Sequence, residues 1–174
     1  MKIRKKISKL LELLNEGLFE RKKIIGLTFL SSIAEESIFL LGPSGVGKSL
    51  IPRRLKFVFK DAQSFEYLMK RFSTLDEIFG PVSIKKLKDE DKYERLTEKY
   101  LPGSNIVFLD EIWKVDPSIQ KPLLIVLNEK IYRNSEQEVM VDLKGIISAA
   151  NELPEGIDRG FDKSLFRRSL IYEP

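Results

Sequence analysis

The segment that most constrains the fold of this chain reads GPSGVGKS and runs from Gly42 to Ser49. It fits the pattern G-x-x-x-x-G-K-[ST] in full, and an apolar run, SIFLL from Ser37 to Leu41, comes directly before it. A strand that passes through a glycine-rich loop into a helix is the context in which this pattern binds phosphate groups. Backbone N–H groups converge on the phosphates, and the helix N-terminus adds a partial positive charge. We therefore predict a P-loop that binds a nucleoside triphosphate.

The residues of the loop have separate expected roles. Lys48 is expected to reach the β- and γ-phosphates, and the hydroxyl of Ser49 to ligate Mg²⁺. The glycines allow the backbone to turn tightly around the phosphates. The nucleotide-binding residues that we predict are Gly42, Pro43, Ser44, Gly45, Val46, Gly47, Lys48, Ser49 and Leu50.

Two carboxylates follow a second strand of buried type. The run IVFLDE places Asp110 and Glu111 directly after the strand predicted over 105–109. Because carboxylates are costly to desolvate, a partner is expected at such a strand end, and a nucleotide-bound Mg²⁺ would be that partner. Asp110 would hold the ion, and Glu111 would activate or orient the attacking water. Together with a complete P-loop, the pair indicates nucleotide hydrolysis.

Two further positions are candidates for the same site. Asn151 follows the apolar run GIISAA at 145–150, where its amide could hold the attacking water or the γ-phosphate; a turn or cap residue is the alternative. Arg167 and Arg168 precede the last predicted strand, 169–172. An arginine there could act on the phosphates of a neighbouring subunit as an arginine finger, or could form a surface salt bridge.

Composition narrows the chemistry and the class of protein. The 174 residues suit one domain, and they include no cysteine and no histidine. Disulfides, thiolate metal sites and a histidine general base are therefore excluded. Residues 1–60 carry 13 Lys and Arg against 5 Asp and Glu, a basic excess that either attracts phosphates or forms a solvated helix face. With no run of 18 apolar residues, we expect no membrane span and a cytoplasmic protein.

The pattern along the chain alternates between strands and helices, which favours a parallel three-layer sheet. Residues 72–101 are irregular and charged, with a break at Gly80-Pro81, and 131–143 resembles a hairpin. We predict helices over 2–15, 19–34, 47–60 and 117–129, and strands over 37–41, 64–69, 105–109, 145–150 and 169–172.

In this order, the P-loop, the Asp-Glu pair, the asparagine and the arginine pair resemble an AAA+ ATPase core. The likeness is closer to the MoxR branch, and within it to the regulatory ATPase variant A (RavA) subgroup. It extends from about Leu10 to Tyr172. The segments that carry it are GLFERKKII, SIFLLGPSGVGKSLI, RRLKFVF, FEYLMKRFSTLDEIFGPVSI, LKDEDKYERLTEKYLP, IVFLDEIWK and SAANELPE.

The resemblance implies an α/β fold, a P-loop NTPase three-layer αβα sandwich with a central parallel five-stranded sheet and without the family's all-α lid. One AAA+ core would span 1–174, with N-terminal helices over 1–35 and the nucleotide-binding core over 36–174. Segment 17–21 would lie near the adenine, 80–101 would be the helix-2 insertion and 130–143 the hairpin before sensor 1.

The same resemblance assigns roles to the site residues. Walker A is Gly42–Ser49, Walker B is Asp110 with Glu111, sensor 1 is Asn151, and Arg168 matches the arginine finger. The expected catalytic residues are then Glu111, Lys48, Asn151 and Arg168, and the expected Mg²⁺ ligands are Ser49 and Asp110.

Cofactors and partners are also implied by the resemblance. MoxR proteins use ATP and Mg²⁺, form homo-oligomers (hexameric rings with ATP between subunits) and act as chaperone-like remodelling ATPases. Their usual partner is a von Willebrand factor A domain protein.

Three departures from the family pattern favour impaired turnover. The sequence stops at Pro174, before the helical lid with its sensor-2 arginine. Arg167 stands where the family usually has Asp. Pro52 falls in the second turn of a helix predicted to begin at Gly47, where proline is costly. A shortened gene product or an excised core would have these features.

Other functions remain open from the residues alone. The chain could be a catalytically weak nucleotide-binding or interaction module from a truncated gene, or a small P-loop kinase. We do not expect nucleic-acid binding, because the basic third shows no aromatic stacking pattern and no recognition-helix motif.

Overall fold

The computed structural model describes residues 2–43, 45–152 and 169–172. The α-helices in these ranges are α1 (Lys2–Asn15), α2 (Lys22–Ile33), α3 (Leu50–Leu55), α4 (Leu75–Phe79), α5 (Ile84–Glu90) and α6 (Pro117–Glu129). The strands are β1 (Ser37–Leu41), β2 (Ser64–Leu68), β3 (Ile106–Asp110), β4 (Ile131–Asn134), β5 (Gln137–Met140), β6 (Gly145–Ala150) and β7 (Ser169–Tyr172). Short 3-10 turns lie at Lys56–Val58, Leu101–Gly103 and Ile112–Lys114.

Five strands form one parallel sheet in the order β2-β3-β6-β1-β7. The predicted five-stranded parallel sheet is therefore confirmed. The three inner strands, β3, β6 and β1, are nearly continuous apolar runs, as expected for strands covered on both faces. The order also puts β6 between β1 and β3, an arrangement that positions the site described below.

Helices cover both faces of the sheet because successive side chains of a strand point to opposite sides. In β1, Ile38 and Leu40 pack into a core that includes Leu14 of α1, Ile25 and Phe29 of α2, and Ile51 and Leu55 of α3. Phe39 faces the other way, into a core with Ile119, Leu123 and Val126 of α6. The result is the αβα sandwich that was predicted.

Helix α6 follows its sequence signals. It begins at Pro117 after the N-cap Asp116, whose carboxylate accepts a hydrogen bond of 2.9 Å from the backbone N–H of Ser118. A side-chain acceptor at the N-cap and proline in the first helical position both favour a helix start. Its bounds, like those of α1, match the prediction.

The helix after the P-loop is shorter than predicted. It begins at Leu50 and not at Gly47, because Gly47 has a φ of +79° and lies outside the helical region. It ends at Leu55, where the 3-10 turn Lys56–Val58 follows. Pro52 is consequently the third residue of α3 and lies in its first turn. The backbone N–H groups of a first turn have no partner within the helix, so the missing N–H of Pro52 removes no hydrogen bond. The expected penalty at Pro52 was therefore wrong.

Segment 72–101 is more regular than predicted. Helix α4 begins with a capping box between Thr74 and Glu77, and Ser83 caps α5 with its side-chain oxygen. An antiparallel bridge between Val82 and Arg95 joins the residues before α5 to those after it. Sequence reasoning missed both helices.

Segment 72–101 is also fastened to the predicted hairpin, which the structure shows as antiparallel β4 and β5. The side-chain oxygen of Asn134 accepts from the backbone N–H of Arg95 at 2.7 Å, and its amide donates to the Arg95 carbonyl at 3.1 Å. The two segments are thus held together by a pair of reciprocal hydrogen bonds.

A cluster of charged residues lies at the amino ends of β1 and β6. There Glu35 accepts hydrogen bonds from Lys130 (2.6 Å) and Lys144 (2.9 Å). These two hydrogen bonds lower the pKa of the Glu35 carboxyl to about 2, and the bond from Lys130 has the larger effect. They join the turn after α2 to the ends of α6 and of the hairpin.

The described ranges, 2–43, 45–152 and 169–172, lack two kinds of helical structure. No all-helical domain follows the sheet there, and no helix there is long and apolar enough to cross a membrane.

Candidate functional site

Three adjacent strands end at the same edge of the sheet, and each is followed by a candidate residue. Gly42 follows β1, Asn151 follows β6, and Asp110 is the last residue of β3. In the register, Leu41 pairs with Ala150 and Leu109 with Ser148. Because β6 lies between the other two strands, Asn151 is placed between the P-loop and the carboxylates. Ligands in open α/β sheets bind outside the carboxyl ends of the strands, as here.

The loop from Gly42 depends on a backbone that glycine adopts easily. Gly45 and Gly47 have φ angles of +83° and +79°, a region that residues with a Cβ rarely occupy. The Gly42 N–H donates to the Ala150 carbonyl at 3.1 Å and anchors the start of the loop to β6. The Leu50 N–H donates to the Gly47 carbonyl at 3.1 Å, which closes the turn into α3. Ser44 lies outside the described residues.

Lys48 is buried, with 6% of the residue exposed. Its ammonium group donates to the carbonyls of Gly42 (2.5 Å) and Ala150 (3.2 Å) and to the side-chain oxygen of Asn151 (2.8 Å). A buried ammonium group is tolerated only with such partners. The cation is therefore fixed beside the end of β6, inside the curve of the loop.

Glu111 is the next charged group along this edge. It has a φ of +54°, and 8% of the residue is exposed. One carboxylate oxygen accepts a hydrogen bond from the amide of Asn151, and the other lies 3.4 Å from the ammonium nitrogen of Lys114. Lys48, Asn151, Glu111 and Lys114 thus form a continuous line of polar contacts, which we call the polar row.

The structure brings together three of the four predicted catalytic residues: Lys48, Asn151 and Glu111. Asp110 adjoins them, and its carboxylate accepts from the Glu111 backbone N–H at 3.1 Å. The fourth, Arg168, lies outside the described residues, as does Arg167. Lys114 was missed by sequence reasoning, and its position three residues after Glu111 was the only available signal.

The donor set suits Mg²⁺ bound together with phosphate. Asp110 and Ser49 offer a carboxylate and a hydroxyl, and Mg²⁺ commonly takes one or two protein oxygens with substrate phosphates and water. Within 2–43, 45–152 and 169–172 no group of three or more Asp, Glu, His or Cys could hold a metal by itself. These residues therefore fit an ion shared with a phosphate group and not an all-protein metal cage.

Segment 17–21 follows α1, and the end of that helix is tied to α3. The guanidinium of Arg54 donates to the carbonyls of Leu14 (3.1 Å) and Glu16 (2.6 Å). A cation at a helix C-terminus is favourable because the last carbonyls have no partner within the helix. The expected position of the segment near an adenine stays a prediction.

Comparison with known families agrees with this arrangement. Residues 5–172 match the family model of the MoxR domain in the MoxR-vWA-beta-propeller ternary systems. The chain belongs to the MoxR family. The predicted MoxR membership is thus confirmed, whereas membership of the RavA subgroup stays a prediction.

Similar proteins were found by sequence and by structure. The MoxR domain is 42% identical over 165 residues to the uncharacterized protein MJ0079 of Methanocaldococcus jannaschii, and the match covers 94% of this chain and 43% of that protein. The structure resembles that of a Cytophaga hutchinsonii protein assigned as an ATPase, with a TM-score of 0.74, 17% identity and coverage of 98% and 51%. It also resembles NtrX from Brucella abortus in complex with ATP, with a TM-score of 0.59, 20% identity and coverage of 90% and 37%. The structural likenesses support the α/β fold described above, which resembles an AAA+ ATPase core.

Proposed function

We propose that this MoxR domain binds ATP with Mg²⁺ at the P-loop and hydrolyses it. The observation that carries the proposal is the polar row. It joins the P-loop lysine to a buried carboxylate through a single asparagine, at the edge where parallel strands bind ligands. A structural turn rich in glycine would not require a buried cation after β1 and a buried carboxylate after β3, linked across the end of β6.

Binding would depend on the loop and on the two oxygen ligands. Lys48 would place its positive charge against the β- and γ-phosphates, and backbone N–H groups of the loop would donate to them. Ser49 and Asp110 would hold the Mg²⁺. When bound, the ion would neutralise negative charge on the phosphates.

Hydrolysis would depend on Glu111. Its carboxylate is nearly buried and is aligned by the Asn151 amide, so it can accept a hydrogen bond from a water molecule and direct that water at the γ-phosphate. Asn151 contacts both Lys48 and Glu111. It would therefore fix the distance between the lysine that binds the phosphates and the carboxylate that directs the attacking water.

Two comparisons support the choice of nucleotide. The family is one of MoxR domains, and two crystal structures of NtrX that this structure resembles contain ADP or ATP. The preference for ATP over GTP rests on the family resemblance.

The proposal is tested by measuring phosphate release from Mg·ATP by the purified chain and by its Glu111→Gln variant. We expect saturable turnover by the wild type and a loss of about 100-fold or more in the variant, since an essential water-orienting group is removed. Nucleotide binding should be retained in Glu111→Gln. If wild type and variant release phosphate at the same rate while both bind ATP, the chain is a catalytically weak nucleotide-binding module.

We further propose the assembly and partners expected for the family. The chain would form a homo-oligomeric ring, with Arg168 acting as an arginine finger on the nucleotide of the neighbouring subunit. Its partner would be a von Willebrand factor A domain protein. The assembly would remodel other proteins as a chaperone-like ATPase and would be located in the cytoplasm. Light scattering of the Glu111→Gln variant with and without ATP would test ring formation, and a mass that stays at one subunit in both conditions would reject it.

A further inference from the structure

The turn that follows Glu111 presents a lysine to the carboxylate. Residues Ile112–Lys114 form a 3-10 turn, and the Lys114 N–H donates to the Glu111 carbonyl at 2.9 Å. The turn brings the Lys114 ammonium nitrogen to 3.4 Å from Oε2 of Glu111. The side chain of Glu111 is 10% exposed, whereas that of Lys114 is 59% exposed. The lysine therefore reaches from the surface to the buried carboxylate.

The two carboxylate oxygens of Glu111 are held by different partners. Oε1 accepts from Asn151, and Oε2 faces Lys114. One contact alone would leave the carboxylate free to rotate about its last bond, because that torsion is broad. Two contacts fix the plane of the group. The lysine also offsets the cost of keeping a charged carboxylate largely out of water.

We propose that Lys114 is a positioning residue for hydrolysis: it fixes the orientation of the Glu111 carboxylate without touching the nucleotide. The inference rests on the proposed ATPase function. Because 59% of the Lys114 side chain stays exposed, the pair is partly solvated and should contribute only about 1 kcal/mol to folding. Misplacing a reacting group by an ångström can cost about 100-fold in rate. Loss of Lys114 should accordingly affect turnover far more than stability.

The test compares Lys114→Met and Lys114→Arg with the wild type in steady-state ATP hydrolysis. Lys114→Met should lower kcat by roughly 10-fold or more with KM changed by less than about 2-fold, because only the alignment of Glu111 is lost. Lys114→Arg keeps a cation within reach and should retain most of the activity. Lys121→Met, at an exposed lysine of α6, is the matched control and should match the wild type. Unchanged or increased kcat in Lys114→Met would overturn the proposal.

A double variant separates positioning from a direct role. If Lys114 acts through Glu111, adding Lys114→Met to Glu111→Gln should not lower the residual rate further. A further loss of 10-fold would show that Lys114 acts on its own and would overturn the proposal.

Crystal structures of the Lys114→Met and Lys114→Arg variants provide a measurement that does not depend on turnover. The Glu111 carboxylate should keep its place beside Asn151 in Lys114→Arg and move or take several conformers in Lys114→Met. The same single, ordered carboxylate in both would reject the role of Lys114. Absence of hydrolysis by the wild type would instead count against the proposed function.

Discussion

The link between the two charged ends of the polar row can be cut at Asn151. In Asn151→Ala, Glu111 loses the donor to Oε1, while Lys48 keeps the carbonyls of Gly42 and Ala150 as acceptors. The two ends of the row are therefore affected unequally. We expect a defect in turnover with little defect in nucleotide affinity.

The magnitude follows from the contacts that are lost. A hydrogen bond to a charged group is worth about 1.5–3 kcal/mol, which corresponds to roughly 10- to 100-fold in kcat if the bond aligns the catalytic carboxylate. Since Lys48 retains its carbonyl partners, the Kd for Mg·ATP should change by less than about 3-fold. Because Asn151 is exposed, water can replace its amide as a donor to Glu111, and the melting temperature should fall by less than about 4 °C.

The assay pairs steady-state phosphate release with calorimetric measurement of ATP binding. Asn151→Asp serves as the matched variant, because it keeps an acceptor for Lys48 but places a second negative charge beside Glu111. It should lose at least as much activity as Asn151→Ala. Full activity in Asn151→Asp, or an affinity loss in Asn151→Ala as large as its loss of kcat, would refute the reasoning.

Two further predictions concern stability. Gly47→Ala should destabilise the fold by about 1–2 kcal/mol, because alanine would be forced to a φ of +79°. Gly26→Ala, inside α2 with open space around it, should be neutral or stabilising by about 0.5–1 kcal/mol. Thermal unfolding of both variants would check this, and equal melting temperatures would contradict it. Glu35, with a folded pKa of about 2 against an ordinary value of 4.5, should contribute stability above pH 4.5 that is lost as the pH falls towards 2. Because Glu35 is partly exposed, Glu35→Gln should cost at most about 1 kcal/mol at pH 7, with the difference from wild type vanishing near pH 2 in urea titrations; a difference that persists at pH 2 would be evidence against the ion pairs as its source.

The strands were predicted well because each is a continuous apolar run with clear ends. The bounds of β1, β6 and β7 agree with the prediction, and β2 and β3 differ by one residue. A parallel sheet covered on both faces leaves this signal directly in the sequence. The order of the strands, by contrast, was not predicted, and the structure alone shows β2-β3-β6-β1-β7.

The helices were predicted less well where local geometry overrides composition. The positive φ of Gly47 delays the start of α3, and the consensus pattern does not specify the length of that helix. Helices α4 and α5 were missed among charged residues, although Thr74 and Glu77 have the spacing of a capping box.

Some residues of the candidate site could be predicted from the sequence, and one could not. The consensus pattern predicted Lys48, the strand ends predicted Glu111 and Asn151, and the structure places the three in contact. Lys114 could not be predicted from the sequence, because its contact with the Glu111 carboxylate depends on the backbone. Glu111 has a left-handed conformation, and a 3-10 turn follows it. Nothing in the residue types of that segment requires this conformation.

The central claim, nucleotide binding at the P-loop, is tested most directly by calorimetric titration of the chain with Mg·ATP. We predict saturable binding by the wild type and by the Lys121→Met control. Lys48→Met should weaken binding by about 10- to 100-fold, because it removes the charge-assisted contact to the phosphates. No saturable binding by the folded wild type, or equal affinity in Lys48→Met, would contradict the account.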